Sequence, residues 1–202
     1  MDKLDYKKAY KQLYMPGKDP VRADVGEMNF IAVDGEGAPE GEDYQEAVKA
    51  LYALSYTIKT GTKAYSLYHE YAVPPLEGFW HDAPEADRDE WRWTSVMRVP
   101  DFVTPDLFRY AKKECARKKI DANVNPVRFM QFTEGLCVQL MHTGPFSTEP
   151  ESLAKIDEYI TANGLVKDLS DERRHHEIYI SDPRKVAPEK MKTVLRIPVR
   201  EK

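Results

Sequence analysis

The feature that most constrains this chain is a short stretch that occurs twice. Val96-Met97-Arg98-Val99-Pro100 returns as Val194-Leu195-Arg196-Ile197-Pro198, an offset of 98 residues. Both copies are apolar, β-prone runs with an arginine at the same place and a proline to end them. Further upstream an offset of 107 pairs Gly37 with Gly144, Ala47 with Ala154, Tyr52 with Tyr159, His69 with His176 and Glu70 with Glu177. A repeated unit must bury its apolar face against its own copy, so the repeat predicts a pseudo-symmetric body. The change of offset places a nine-residue insertion in the first half, in the region Pro74 to Glu90.

The local signals repeat in the same order. In the first half, Met28 to Val33 predicts a strand that breaks at Asp34-Gly35-Glu36-Gly37. Tyr44, Ala47, Val48, Leu51, Ser55 and Ile58 follow helical spacing up to Gly61. Strands are expected at Tyr65–Val73, at Leu76–His81 and at Trp93–Val99, with a polar loop over Asp82–Asp89. The second half offers a strand at Leu136–Met141, a helix from Glu149 to Ala162, and strands at His175–Ser181 and Thr193–Val199. A helix capped at Thr104-Pro105 joins the halves, with Leu107, Tyr110, Ala111 and Cys115 as its buried stripe. Ahead of everything lies a further helix, Leu4–Tyr14, presenting Tyr6, Tyr10 and Leu13. The expected fold is therefore α+β: one domain over 1–202, made of β-α-β-β halves at 26–100 and 127–202, a connector at 101–126, and a central groove.

Composition excludes several classes. With 30 Lys+Arg against 34 Asp+Glu, the chain is mildly acidic and lacks the basic excess of a nucleic-acid binder. It holds no apolar run long enough for a membrane span, and its charged start is unlike a signal peptide. Cys115 and Cys137 are too few for a disulfide framework, which suggests a reduced, cytoplasmic setting. The five histidines show no metal-ligand spacing, because His175 and His176 are strand neighbours and point to opposite faces. Nucleophile elbows, phosphate loops and dinucleotide fingerprints are missing. No metal and no cofactor is expected.

Chemistry is then left to carboxylates and aromatics. Alternation along His175–Ile180 puts His176, Ile178 and Ile180 on one face, expected against the helices. Glu177 and Tyr179 would then face the groove, where a partly dry setting raises a carboxyl pKa. Glu70, between Tyr68 and Tyr71, would supply a second carboxylate from the other half. Phe79, Trp80, Trp91, Trp93 and Phe102 fall within 24 residues, interleaved with charged side chains. Trp80 and Trp93 are the expected walls of a slot for a planar, neutral or cationic ligand.

Several segments carry a family resemblance. Met28–Gly37, Pro74-Pro75-Leu76-Glu77-Gly78-Phe79-Trp80, Phe102-Val103-Thr104, Phe132–Cys137, His142-Thr143-Gly144-Pro145 and His175–Lys185 resemble the GyrI-like family of small-molecule-binding proteins. That resemblance implies tandem SHS2-type modules around a ligand groove, and a free-standing type similar to cyclopropanoid cyclopropyl hydrolases. These hydrolases open the cyclopropane of DNA-alkylating natural products. It implies Glu177 as the groove carboxylate; the chemistry of ring opening would then have Glu177 orient or deprotonate a water while Tyr68 or Tyr179 donates to the developing phenolate. It also implies an aromatic cage that includes Trp80, with Phe79, Trp93, Phe102 and Phe146 as the further aromatic candidates for ligand contact. The chain departs from the family pattern at His81, where a second tryptophan is usual, and at Phe146, where a tyrosine is usual. The alternative is a non-catalytic protein that sequesters drugs or modulates a protein target such as DNA gyrase.

Overall fold

A computed structural model describes residues 3–81 and 87–202. Most of the predicted loop Asp82–Asp89 and part of the predicted insertion lie outside the described residues. The chain opens with two short helices, α1 (Tyr6–Ala9) and α2 (Lys11–Tyr14), rather than one. Strand β1 (Val21–Glu36) leads into helix α3 (Glu42–Gly61), followed by β2 (Leu76–Trp80) and β3 (Arg92–Val99). Helix α4 (Pro105–Arg117) connects to β4 (Arg128–Thr143), helix α5 (Glu149–Ala162) and strands β5 (Leu165–Lys167), β6 (His175–Tyr179) and β7 (Lys192–Glu201).

The strands pair antiparallel into a closed circuit. β1 bonds to β3, β3 to β2, β2 to β6, β6 to β7, β7 to β4, and β4 back to β1. The short β5 adds to the far end of β7. The outcome is a mixed α+β, barrel-like body. Two of its seams, β1–β4 and β2–β6, join the first half of the sequence to the second. Such closure leaves few unpaired edges.

Helix α3 packs on β1 and β3 with α4 beside it, while α5 packs on β4, β5 and β7. The β2–β6 seam runs between these two helical flanks. On the outer face, Leu51 and Leu54 of α3 are buried over Ile31 and Met97 of the sheet, and Ile156 of α5 over Leu140 and Leu195. The barrel interior is more polar. Glu77, Glu134, Gln139, His176 and Arg196 are buried there and bonded to one another across the lumen. Glu134 and Gln139 lie an odd number of residues apart, yet both reach Arg196. Gly135, with φ 72, breaks the alternation of β4 between them and allows this. Helices α1 and α2 cover one end, where Arg196 donates to the Leu13 carbonyl and Gln139 to that of Gln12.

Two expectations about elements need correcting. Tyr65–Val73 is not a strand. It folds as turns with one bridge, Leu4 to Tyr71, while its tyrosines pack around Phe102. In α4 the buried stripe is Phe108, Ala111 and Cys115, whereas Tyr110 is exposed. The helix is rotated from the expected setting because Phe108 packs against Phe129.

Candidate functional site

The β2–β6 register sets Gly78 opposite Glu177 and Trp80 opposite His175. Gly78, Trp80, Glu177 and Tyr179 therefore share the outer face, with the helices flanking them. The alternation was read correctly from the sequence, but its facing was not. Ile178 and His176 line the barrel interior, and Glu177 looks outward between α3 and α5. The reason is that the closed sheet has its own inner core, which takes the isoleucine. The helices then cover the other face.

Three of the expected site residues form a hydrogen-bonded chain. Trp80 Nε1 donates to the Tyr179 hydroxyl at 3.1 Å, and that hydroxyl donates to Glu177 Oε2 at 2.9 Å. Gly78 makes this possible, since a Cβ there would stand 3.0 Å from the Tyr179 oxygen and 3.3 Å from Trp80 Nε1. Tyr44, from α3, lies nearly parallel to Trp80 with ring centres 6.2 Å apart. Phe146 meets Tyr179 edge-on at 6.1 Å and is 48% exposed. Phe146 is placed by the turn after β4, where Gly144 has φ 143 and His142 Nδ1 bonds to the Ser152 hydroxyl at 2.9 Å.

A second carboxylate completes the group, and it is not the expected one. Glu149, the first residue of α5, is buried and its Oε1 has no hydrogen-bond partner. Burial, then the neighbouring Glu177 charge, pushes its carboxyl well above the usual range. Glu177 is also raised by burial, with the Tyr179 and Trp80 hydrogen bonds and the His176 charge pulling against that rise. Two buried carboxyls that resist joint ionisation leave one protonated and one charged, which is an acid beside a base. Burial also raises the Tyr179 phenol, helped by the Glu177 charge, so it stays a donor at neutral pH.

The remaining expected residues lie elsewhere. Trp93 is 1% exposed, edge-on to Tyr44 at 5.0 Å, with Nε1 bonded to the Gly37 carbonyl. It supports Tyr44 from below rather than forming an open wall. Phe79 lies inside the barrel with its ring 4.2 Å from that of His176. Tyr68, Glu70 and Phe102 gather at the other end of α3. There Tyr68 bonds to Glu70 at 2.6 Å and Lys59 pairs with Glu70 at 3.2 Å. From Lys59 to Tyr44 is about 22 Å along the helix at 1.5 Å per residue. Glu70 lies upstream of β2, so it is not the counterpart of Glu177, which pairs across the seam with Gly78.

A cavity of about 410 Å³ opens at one end of the barrel, on the inner face, lined in part by Asp34, Phe79, Arg128, Met130 and Arg174. The aromatic and carboxylate group at the seam lies on the opposite face of the sheet. Among the described residues no cluster of three or more His, Cys, Asp or Glu could hold a metal ion. No helix there is long and apolar enough to cross a membrane. Both cysteines are buried. Sequence reasoning missed Tyr44 and Glu149 as site residues. Tyr44 carries the signature of a core helix position, and a glutamate in a first helical turn reads as a dipole partner.

The comparisons with known proteins agree with this architecture. An uncharacterized conserved protein from Listeria innocua superposes with a TM-score of 0.93 at 48% identity, covering 98% of this chain and 100% of its own. A second structure from Listeria innocua, described as a hydrolase, gives 0.91 and 48% over the same shares. The C-terminal domain of EcmrR shares the fold at a TM-score of 0.58 and 14% identity, over 91% of this chain and 98% of its own. No curated protein matches the chain. The GyrI-like small molecule binding domain matches residues 22–200, and the chain belongs to that family.

Proposed function

We propose that this protein binds flat aromatic xenobiotics at the β2–β6 seam and hydrolyses the cyclopropane ring of DNA-alkylating cyclopropanoids. The observation that carries the reading is the chain Trp80–Tyr179–Glu177 with buried Glu149 beside it. The description of a 48% identical relative as a hydrolase supports it. Trp80, Tyr44 and Phe146 supply aromatic surface for the planar unit. Water adds to the ring carbon and the strained C–C bond breaks. Its electron pair passes through the conjugated dienone to the carbonyl oxygen. Glu177 accepts a proton of the water, and the Tyr179 hydroxyl turns from Glu177 to hydrogen-bond the developing phenolate. Protonated Glu149 delivers the proton to that oxygen and regains one from Glu177. Tyr68, bonded to Glu70 at the far end of α3, has no part here. The same reading takes 26–100 and 127–202 as two SHS2-type halves with 101–126 between them, supported by the β-α-β-β order and the two cross-half seams.

The test is product analysis with purified protein and a cyclopropanoid substrate. The native protein should yield the ring-opened product, heavier by one water. Glu177→Gln should keep ligand binding, read by tryptophan fluorescence, and lose turnover by about 100-fold or more. Undiminished turnover in that variant overturns the assignment. Binding by the native protein without a hydrated product supports the second reading instead, a protein that sequesters drugs or acts on a protein target such as DNA gyrase. The family's description as a small molecule binding domain favours that alternative.

A further inference from the structure

Behind Glu177, on the inner face of β6, His176 is gripped from two sides. Its Nε2 lies 2.9 Å from Glu77 Oε2, and its Nδ1 lies 3.2 and 3.1 Å from the two oxygens of Glu134. Only a hydrogen donor satisfies a carboxylate, so each ring nitrogen must carry a proton. Arg196 Nη1 also stands 3.3 Å from Nδ1, but it too aims at Glu134, at 2.8 Å. A bare Nδ1 accepting from Arg196 would set its lone pair against two anionic oxygens. Glu77 is engaged further by the Tyr14 hydroxyl at 3.1 Å, and the Phe79 ring covers the imidazole at 4.2 Å. All four charged members, Glu77, Glu134, His176 and Arg196, are at most 3% exposed.

We propose that His176 is a doubly protonated positioning residue whose charge, acting from the far face of the strand, biases Glu177 toward its ionised form and leaves the adjacent His175 neutral. The groups facing Glu177 are Tyr179 on its own strand, Trp80 from β2, Tyr44 from α3, Glu149 from α5, and His175, whose Nε2 lies 3.8 Å away. Among them none is a lysine or arginine, and the cation adjoining Glu177 along its own strand is His176, behind the sheet. The pKa shifts run in the same direction. His176 is raised by its two carboxylates against its burial, and His175 is lowered to about 4 by burial and by the His176 charge. Burial would raise Glu134, yet His176 and Arg196 hold it at about 2.

The inference rests on the proposed function only for its catalytic consequence, so it is tested first without any substrate. In the full chain labelled with 15N-histidine, both ring nitrogens of His176 should stay protonated from about pH 5 to about pH 8, with His175 neutral throughout. A His176 that loses a proton near the ordinary imidazole range overturns the proposal. In chain labelled at the glutamate carboxyl carbon, His176→Gln should raise the Glu177 titration midpoint by on the order of one pH unit. An unmoved midpoint also overturns it. Should that variant not fold, Glu77→Gln serves, since releasing one carboxylate must lower the His176 midpoint. With a working substrate, the acid limb of the pH–rate profile in His176→Gln should move up by the same interval. If the native protein turns nothing over, the proposed function fails while the spectra still judge the charge of His176.

Discussion

At the scale of single residues, the site depends on carboxyls kept away from water. Glu149 has its folded-state pKa raised by burial and by Glu177. Such a group contributes stability that is present below its unfolded pKa and lost as pH rises through the folded value. Glu149→Gln removes that loss. The variant should therefore gain thermal stability relative to the native protein as pH rises from about 4 to about 9. Melting curves across that range check it. A constant difference in melting temperature at every pH would show that Glu149 is not held protonated. The signal for Glu177 was readable because a strand alternates with period two. Its true surroundings were not, because the facing depended on whether the sheet closes on itself. Glu149 was invisible for another reason: nothing in one sequence separates a carboxylate that caps a helix from one that faces another acid.

At the scale of elements, a few glycines allow side chains to lie flat on the sheet. A Cβ at Gly35 would stand 2.2 Å from the Trp93 ring, which in turn supports Tyr44. Gly35→Ala should destabilise the fold by about 3 kcal/mol through overpacking and disturb ligand contacts at Tyr44. Denaturant unfolding measures the first effect, and an unchanged midpoint would mean that β1 yields easily. Helices and prolines were well marked in the sequence. The bounds Glu149–Ala162 and the Thr104 cap, which accepts from the Leu107 N–H, are as expected. Strand lengths were less clear. β1 runs from Val21 to Glu36, well beyond the predicted Met28–Val33, because its outer stretches are polar, Val21–Glu27 held by pairing with β4 and Asp34–Glu36 by pairing with β3. Tyr65–Val73 misled because its tyrosines are β-prone in composition, while their packing around Phe102 decides the local conformation.

At the scale of the whole molecule, the repeat in the sequence becomes a closed sheet whose two cross-half seams make each half incomplete. Residues 26–100 expressed alone should fail to give a cooperative thermal transition, whereas the full chain should unfold in one step. A stable, cooperative fragment would contradict that dependence. Closure also produces two candidate ligand locations on opposite faces: the aromatic seam with Glu177, and the cavity with Phe79, Arg128 and Arg174 at the barrel end. A crystal structure of Glu177→Gln with a cyclopropanoid, or of the native protein with its ring-opened product, distinguishes them most directly. The planar unit should lie against Trp80 and Tyr44, with its reacting carbon beside position 177. A ligand seated instead in the barrel-end cavity would contradict it.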